Sequence, residues 1–475
     1  MNFTRISPEK IGVSSTHIIN FVKRLHSHHI PMHSFLMLRH DFLFAEAYYA
    51  PYTSSSLHRM FSISKSLTAL AIGFLTDEGK IHLDAPIVTY FPEYTHPDTH
   101  PWIMNMTIRH MLMMKTCHAS TTYKLDPSTN WVASFFTVLP THPSGTVFHY
   151  DTSSAHVLCA LIEKLTHMKM LDYIKQKLAV LHLSPSSYML TDPFGTSLGG
   201  SGLVAKPMDL LKIGYFLLKK GNIEGQQLLN PSYIQEATSH LCDTCAVASI
   251  LEESYGYGYQ IWRNRCGFTC YGMGGQLIII LPTYDLVVVT TADTQDIPGG
   301  NQLIYDALFE EIIVQLKDKP LDENTRSSIE LSNYLNTLTL PHFSCPDITD
   351  FVNKINHKTF VPLSNTYFEC FRFEFSPQKN LGLLHYIYKG TSCTLKFGIN
   401  RLETGVFPIY NQAYAASAVL LQDGTFYIEF QIIDAYIGSI HIQCALHQDE
   451  LTLWMRKKEE SLFQEFNTHL SCKQV

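Results

Sequence analysis

The chain has 475 residues, of which 45% are hydrophobic and 16% are charged, a composition typical of globular proteins with a large core. Its 35 basic and 42 acidic residues give a formal net charge of −7 without a long run of either sign, which argues against nucleic-acid binding. We see no secretory signal and no apolar stretch long enough to span a bilayer, and therefore expect a cytoplasmic protein that does not bind membranes.

The first 320 residues contain predicted strands near both ends and are mainly helical in between. In chain order, the predicted elements are an amphipathic helix near 18–25, a hairpin over 33–50, an apolar helix from about 63 to 77, a helical region from about 80 to 240, strands at 276–281 and 286–291, and a helix from about 301 to 316. This order predicts an α+β fold, in which an antiparallel sheet is flanked by helices and carries a mainly helical insertion.

A polar segment that contains a proline, Lys317–Arg326, predicts a domain boundary, with one domain over 1–325 and a second over 326–475. Short predicted strands separated by turn residues follow at 367–375, 383–388, 425–433, 437–446 and 450–455. They predict a small all-β domain, either an antiparallel sandwich or a barrel.

The motif Ser-x-x-Lys occurs at Ser62–Lys65, and also at Ser7–Lys10 and Ser376–Lys379. The last two serines precede a proline in polar surroundings that would not desolvate a lysine. Ser62 and Lys65 begin the apolar helix, and their spacing places them on one helix face. A serine needs a base to become a nucleophile, and burial lowers a lysine pKa enough for that role. The alternative is a helix-capping serine beside a surface lysine; the apolar helix favours catalysis.

Two further segments are candidates for the same site. Tyr150 stands just before a predicted helix, where its phenol would shuttle protons, although a packing role for the tyrosine and a capping role for Asp151 or Thr152 stay open. The segment Cys270–Gln276 contains three glycines at the start of a strand, where free backbone N–H groups would bind an oxyanion. The alternative for this segment is a glycine-rich bulge.

The spacing of four cysteines is close to that of a structural zinc site: Cys242, Cys245, Cys266 and Cys270. The competing interpretation is that they are reduced, mostly buried thiols in a chain with 11 cysteines, and we favour it. We expect no metal and no organic cofactor.

Together, the three segments resemble the serine β-lactamase and penicillin-binding protein superfamily, in particular its class C-like branch with esterases, D-aminopeptidases and 6-aminohexanoate-dimer hydrolases. Further stretches resemble this branch: 58–66, 77–80, 91–92, 199–202 and 255–262. The resemblance implies that Ser62 is the acylated nucleophile, Lys65 its general base and Tyr150 the proton relay to the leaving group. It also implies that the N–H groups of Ser62 and Met273 form the oxyanion hole. The neighbours of Met273 would complete the oxyanion and substrate-binding segment: Tyr271, Gly272, Gly274, Gly275 and Gln276.

The sequence departs from this pattern twice. Thr152 stands where the superfamily usually has Asn, and Cys270-Tyr271-Gly272 brings no cation where Lys-Thr-Gly or His-x-Gly is usual. Losing a charge-assisted contact to a substrate carboxylate costs about 1.5–3 kcal/mol. We therefore expect hydrolysis of a small ester, amide or short peptide through an acyl-enzyme on Ser62. The composition is compatible with a homo-oligomer. The alternatives are D-Ala-D-Ala carboxypeptidase or β-lactamase activity, and a catalytically weak homologue that binds a ligand or partner.

Overall fold

The computed structural model describes residues 1–126, 129–344, 347–376, 378, 380–459 and 461–475, so that Lys379 of the third Ser-x-x-Lys match lies outside the described residues. The chain divides into two compact units. Unit 1 comprises Met1–Tyr48 and Leu57–Leu338, and unit 2 comprises Tyr49–Ser56 and Thr339–Val475. The boundary after residue 325 stays a prediction.

The described part of unit 1 contains a sheet of seven strands, in the order β1-β3-β2-β12-β11-β10-β9. All neighbouring strands of this sheet run antiparallel except β1 and β3. Short strands form two small additional sheets, β4-β6-β5 and β7-β8. The strands are β1 (Thr4–Arg5), β2 (Met32–Arg39), β3 (Phe42–Tyr48), β4 (His58–Arg59), β5 (Tyr188–Met189), β6 (Leu203–Ala205), β7 (Asn222–Ile223), β8 (Gln226–Gln227), β9 (Trp262–Asn264), β10 (Gly267–Gly272), β11 (Gln276–Leu281) and β12 (Leu286–Ala292).

The α-helices of unit 1 lie mainly between β4 and β9, which confirms the predicted α+β fold with a helical insertion. They are α1 (Ser15–Ser27), α2 (Ile63–Asp77), α3 (Pro101–Met104), α4 (Ile108–Leu112), α5 (Thr122–Leu125), α6 (Trp131–Thr137), α7 (Thr152–Thr166), α8 (Met170–Lys177), α9 (Pro207–Leu218), α10 (Pro231–Ala237), α11 (Gly300–Ala307) and α12 (Thr325–Asn336). A π-helical turn, Leu308–Ile312, extends α11, so the helix predicted from 301 to 316 is not one regular α-helix.

Helix α2 is central to unit 1, because every residue from Ile63 to Leu75 is buried. It contacts α7, α8 and α10 as well as strand β10. A helix that is apolar on nearly all sides has no face to offer to water and is therefore enclosed by other elements. Its position brings its N-terminus next to the start of α7 and the end of β10.

Unit 2 contains a closed barrel, so the barrel rather than the sandwich is the correct one of the two predicted all-β forms. Nine strands follow one another in the order β16-β15-β14-β13-β22-β21-β20-β19-β18, and β16 pairs with β18 to close the ring. The strands and one helix are α13 (Thr349–Ile355), β13 (Thr359–Pro362), β14 (Phe368–Ser376), β15 (Leu381–Tyr388), β16 (Thr391–Ile399), β17 (Glu403–Val406), β18 (Ala413–Leu420), β19 (Phe426–Ile432), β20 (Gly438–His447), β21 (Glu450–Lys458) and β22 (Thr468–Gln474). Buried aromatic side chains such as Phe373, Phe397 and Phe430 alternate along the strands and fill the interior.

Candidate active site

Ser62 and Lys65 meet at the N-terminus of α2. Ser62 is the N-cap residue, but its side chain makes no capping hydrogen bond. The side chain of Lys65 is almost completely buried, with 1% of the residue exposed, and its Nζ lies 3.0 Å from Ser62 Oγ. This geometry excludes the alternative of a capping serine beside a surface lysine, because the hydroxyl faces the amine instead of the helix backbone.

The backbone before Ser62 places this hydroxyl. Phe61 has a φ of +43°, an uncommon value for a residue with a side chain. Strand β4 pairs with β6, and Met60 N donates to Leu203 O at 2.7 Å. This pairing brings the loop before β6 to the first turn of α2.

Two further acceptors hold the amine of Lys65. Its Nζ donates to the carbonyl oxygen of Gly200 at 2.8 Å and to Thr152 Oγ1 at 3.2 Å. A Cβ atom on Gly200 would lie 2.4 Å from the Thr152 methyl group, so only glycine fits at this point. The amine is therefore fixed by one residue from the loop before β6 and one from the first turn of α7.

The ring of Tyr150 also lies next to the amine of Lys65. Lys65 Nζ is 4.8 Å from the centre of the Tyr150 ring, and this ring stacks on Trp262 with 5.6 Å between centroids. Burial raises the pKa of the Tyr150 phenol well above its ordinary value, although its hydrogen bond to Ser62 acts in the opposite direction. The phenol is therefore protonated at neutral pH and in contact with the Ser62 hydroxyl.

Asp151 has the capping role that the sequence left open. Its carboxylate accepts hydrogen bonds from Ser153 N at 2.8 Å and from Ser154 N at 3.0 Å, the usual pattern of an N-cap. Because Asp151 caps α7, the side chains on either side of it are available to the site: Tyr150 contacts Ser62, and Thr152 contacts Lys65.

The glycine-rich segment closes the site at the end of β10. Gly272 approaches the chain just before Ser62 so closely that a Cβ there would lie 2.4 Å from Met60 O. Gly274 and Gly275 have φ values of +80° and +91°, which glycine adopts without strain. The segment thus turns tightly beside residues 60–62, with Met273 in the turn.

The side chain of Gln276 braces this turn from inside. Its Nε2 donates to Met273 O at 3.1 Å and to Ala292 O at 2.7 Å, and its Oε1 accepts from Ala292 N at 3.3 Å. These bonds engage both ends of the amide, so Gln276 positions the Met273 turn. Tyr271, near the end of β10, accepts a hydrogen bond from Asn301 Nδ2 at 2.9 Å.

Comparison with known proteins places the chain in a family. Residues 19–310 match the model of the beta-lactamase family. The chain belongs to this family. It is 24% identical over 286 residues to the 6-aminohexanoate-dimer hydrolase of Paenarthrobacter ureafaciens. The aligned region covers 55% of this chain and 73% of the relative.

Two solved structures share the beta-lactamase fold. One is a putative 6-aminohexanoate-dimer hydrolase from Bacillus anthracis, with a TM-score of 0.50 and 20% identity, covering 66% of this chain and 88% of the other. The second is the octameric penicillin-binding protein homologue from Pyrococcus abyssi, with a TM-score of 0.51 and 16% identity. This second match covers 96% of this chain and 99% of the other, so it extends through the C-terminal unit.

Several residues of this beta-lactamase family site were not predicted as site residues. Gly200 and Thr152 hold the amine of Lys65, and Trp262 supports Tyr150. Gly200 and Trp262 stand in segments that resemble the superfamily, and Thr152 is one of the two departures from its pattern. Their contacts depend on elements far apart in the chain, which spacing along the sequence does not reveal.

The four cysteines of the zinc hypothesis differ in their surroundings. Cys242 and Cys270 are buried, whereas Cys245 is exposed. Cys242 Sγ donates to Met113 O at 3.3 Å. Among the residues that the structure describes, no three or more His, Cys, Asp or Glu side chains are grouped so that they could hold a metal ion.

Within the same residues, no helix combines the length and apolar character that crossing a membrane requires.

Proposed function

We propose that the protein is a serine hydrolase that cleaves a carboxylic ester or amide through an acyl-enzyme on Ser62. The observation that carries this proposal is the buried amine of Lys65, 3.0 Å from Ser62 Oγ and enclosed by protein acceptors. A serine hydroxyl beside such a base is an activated nucleophile. The similarity to a 6-aminohexanoate-dimer hydrolase supports hydrolysis as the reaction type.

In this mechanism Lys65 is neutral before the reaction. A neutral amine has two hydrogens and one lone pair, and the two hydrogens point to Gly200 O and Thr152 Oγ1. The lone pair is then left for the Ser62 proton. As that proton moves to Nζ, Ser62 Oγ forms a bond to the substrate carbonyl carbon, and the carbonyl oxygen becomes an oxyanion.

The oxyanion is stabilised by the backbone N–H groups of Ser62 and Met273. The first lies at the start of α2, where the helix dipole favours negative charge. The second lies in the turn that Gln276 braces next to Met60. When the carbon–leaving group bond breaks, the Tyr150 phenol donates its proton to the leaving group and regains one from Lys65. Water then attacks the acyl-enzyme, with Lys65 and Tyr150 in the same roles.

A fluorophosphonate probe tests the nucleophile directly. We expect covalent labelling at Ser62, and we expect Ser62→Ala to abolish labelling and to reduce ester turnover by several decades, as removing a serine nucleophile does in other hydrolases. Ser7→Ala is the matched control, because Ser7 begins another Ser-x-x-Lys motif and should be dispensable. Full activity of Ser62→Ala would refute the proposal.

The substrate side of the proposal favours small esters or amides over β-lactams. Tyr271 and its neighbours in β10 bring no cation for a substrate carboxylate. Comparing turnover of short-chain aryl esters, nitrocefin and D-amino-acid amides tests this preference, and faster turnover of nitrocefin than of every ester would contradict it.

A homo-oligomer is part of the proposal as well. The Pyrococcus abyssi homologue, which matches nearly the full length of this chain, is described as octameric. Light scattering coupled to size-exclusion chromatography measures the mass of the purified protein, and a mass equal to one chain would refute oligomerisation.

A further inference from the structure

A buried carboxylate lies beside the candidate active site and has no role in the proposed mechanism. Glu253 is 7% exposed, and its Oε2 accepts hydrogen bonds from Ser249 N at 3.0 Å and Ser249 Oγ at 2.7 Å. Thr244 fixes the backbone at Glu253 and after it, because its Oγ1 donates to Glu253 O at 2.5 Å and accepts from Gly256 N at 3.0 Å. These bonds and those of Ser249 hold the carboxylate in one position.

The carboxylate is directed at the tyrosines of the site. Asn301 Nδ2 donates to the Tyr271 hydroxyl at 2.9 Å, and this hydroxyl in turn hydrogen-bonds to Glu253. Burial is the main cause of the raised pKa of both Tyr271 and Tyr150, and the negative charge of Glu253 acts in the same direction on each. Glu253 is thus close enough to both phenols to influence their ionisation.

The partners of Glu253 are all uncharged. They are the backbone N–H and hydroxyl of Ser249 and the hydroxyl of Tyr271. Its neighbour Glu252 differs, since it forms an ion pair with Arg265. In the part of the chain that the structure describes, Glu253 forms no ion pair with a Lys, Arg or His side chain. No oppositely charged side chain among the described residues therefore competes with a ligand for this carboxylate.

Aromatic rings line the same region. Trp262 connects Tyr150 and Tyr271, with centroid distances of 5.6 and 6.4 Å to the two rings. The Tyr150 ring is already engaged, since Lys65 Nζ lies 4.8 Å from its centre and Trp262 stacks on it. The attraction for a further cation therefore comes from the Glu253 carboxylate and from Tyr271, which stands in the segment where the third motif of the superfamily usually provides a cation.

We propose that Glu253, together with Tyr271, forms a subsite for a protonated amine in the leaving group of the substrate. The leaving-group half is assigned because Tyr150 is the residue that donates a proton to it. The inference rests on the proposed function and makes it more specific: the preferred substrates are esters or amides of amino alcohols or diamines. Glu253 is a specificity residue in this scheme, since it takes no part in bond cleavage.

Two esters of nearly the same shape test this subsite. 2-(Dimethylamino)ethyl butyrate carries a protonated nitrogen at neutral pH, and 3-methylbutyl butyrate has a CH group at the same position. We expect the wild-type kcat/KM to be about tenfold or more higher for the cationic ester, the effect of one charge-assisted contact. We expect Glu253→Gln to reduce this ratio to near one.

Glu252→Gln is the matched control, because Glu252 is the adjacent acidic residue and is already paired with Arg265. It should keep the wild-type ratio. A ratio of two substrates does not depend on the folded fraction of a variant, and the wild-type ratio tests the inference without any variant. Equal rates for the two esters in the wild type, no turnover of the cationic ester, or an unchanged ratio in Glu253→Gln would each overturn it. Ser62 labelling together with turnover of the neutral ester would then show that the proposed function still stands.

Discussion

The contact between Thr152 and Lys65 offers a measurement of the charge on the lysine amine. Thr152 Oγ1 accepts a hydrogen bond from Lys65 Nζ at 3.2 Å. Replacing Thr152 with valine keeps the shape of the side chain and exchanges the hydroxyl for a methyl group. The bond to Gly200 O and the approach to Ser62 Oγ have no direct link to this hydroxyl.

The size of the effect follows from the nature of the donor. A hydrogen bond between neutral groups contributes about 0.5–1.5 kcal/mol, whereas one with a charged group contributes about 1.5–3 kcal/mol. In the proposed mechanism the amine is neutral at rest and becomes a cation as Ser62 attacks, so kcat/KM loses only the difference between the two kinds of bond, about 1–1.5 kcal/mol. Because a factor of ten in rate corresponds to about 1.4 kcal/mol, the expected loss is about 5- to 13-fold. An amine that is already charged at rest keeps the same bond throughout and predicts no loss.

The assay is kcat/KM for a neutral short-chain ester at pH 7 to 9, with Thr152→Ser as the control that restores the hydroxyl. Thr152→Ser should recover most of the activity lost in Thr152→Val. A loss below twofold in Thr152→Val would show that the charge on the amine does not change as Ser62 attacks and would refute Lys65 as the initial base. A loss near 100-fold would show that Thr152 does more than accept one hydrogen bond from Lys65.

Two further predictions concern the residues around this pair. Because burial raises the pKa of Tyr150, the phenol keeps its proton as the pH rises, and we expect no alkaline loss of kcat below about pH 10 from this group. Tyr150→Phe should lower kcat by about 10²–10⁴-fold. If the wild type lost activity below about pH 10 and Tyr150→Phe did not, the phenol would be the group that titrates there, which would contradict the assignment. Gln276→Leu removes the amide partner from Met273 O, Ala292 O and Ala292 N, and each unpaired buried group costs about 1–3 kcal/mol. Urea unfolding should therefore show a free energy of unfolding at least about 2 kcal/mol lower, together with a fall in kcat, and an unchanged urea midpoint would show that the amide does not brace the turn.

Helix α2 was predictable because its sequence leaves few choices. From Leu67 to Leu75 it has one polar side chain, Thr68, so it must be enclosed, and its observed bounds, Ile63–Asp77, are the predicted ones. The burial of Lys65 follows from the same pattern. The acceptors of its amine do not, because Thr152 and Gly200 reach it only through the packing of α7 and the pairing of β4 with β6.

The closure of the barrel was harder to predict for a related reason. Strand β18, Ala413–Leu420, is rich in alanine, a residue depleted in strands, and was not predicted. In the structure Ala416 and Ala418 face a crowded aromatic core, where small side chains fit. Pairing of this strand with β16 turns a sheet into a ring, and that pairing joins segments whose sequences show no sign of it.

The segment Tyr49–Ser56 has a consequence for how this protein can be rearranged by evolution or engineering. It belongs to unit 2, although it interrupts unit 1 shortly before Ser62. Tyr52 in this segment is 4% exposed, donates to Ile432 O at 3.1 Å and packs with Leu340 and Ala415. A chimaera that exchanges only the C-terminal half for that of a homologue would confront Tyr52 with a foreign barrel. The two stretches of unit 2 are therefore expected to be inherited, and to be transplanted, as a pair.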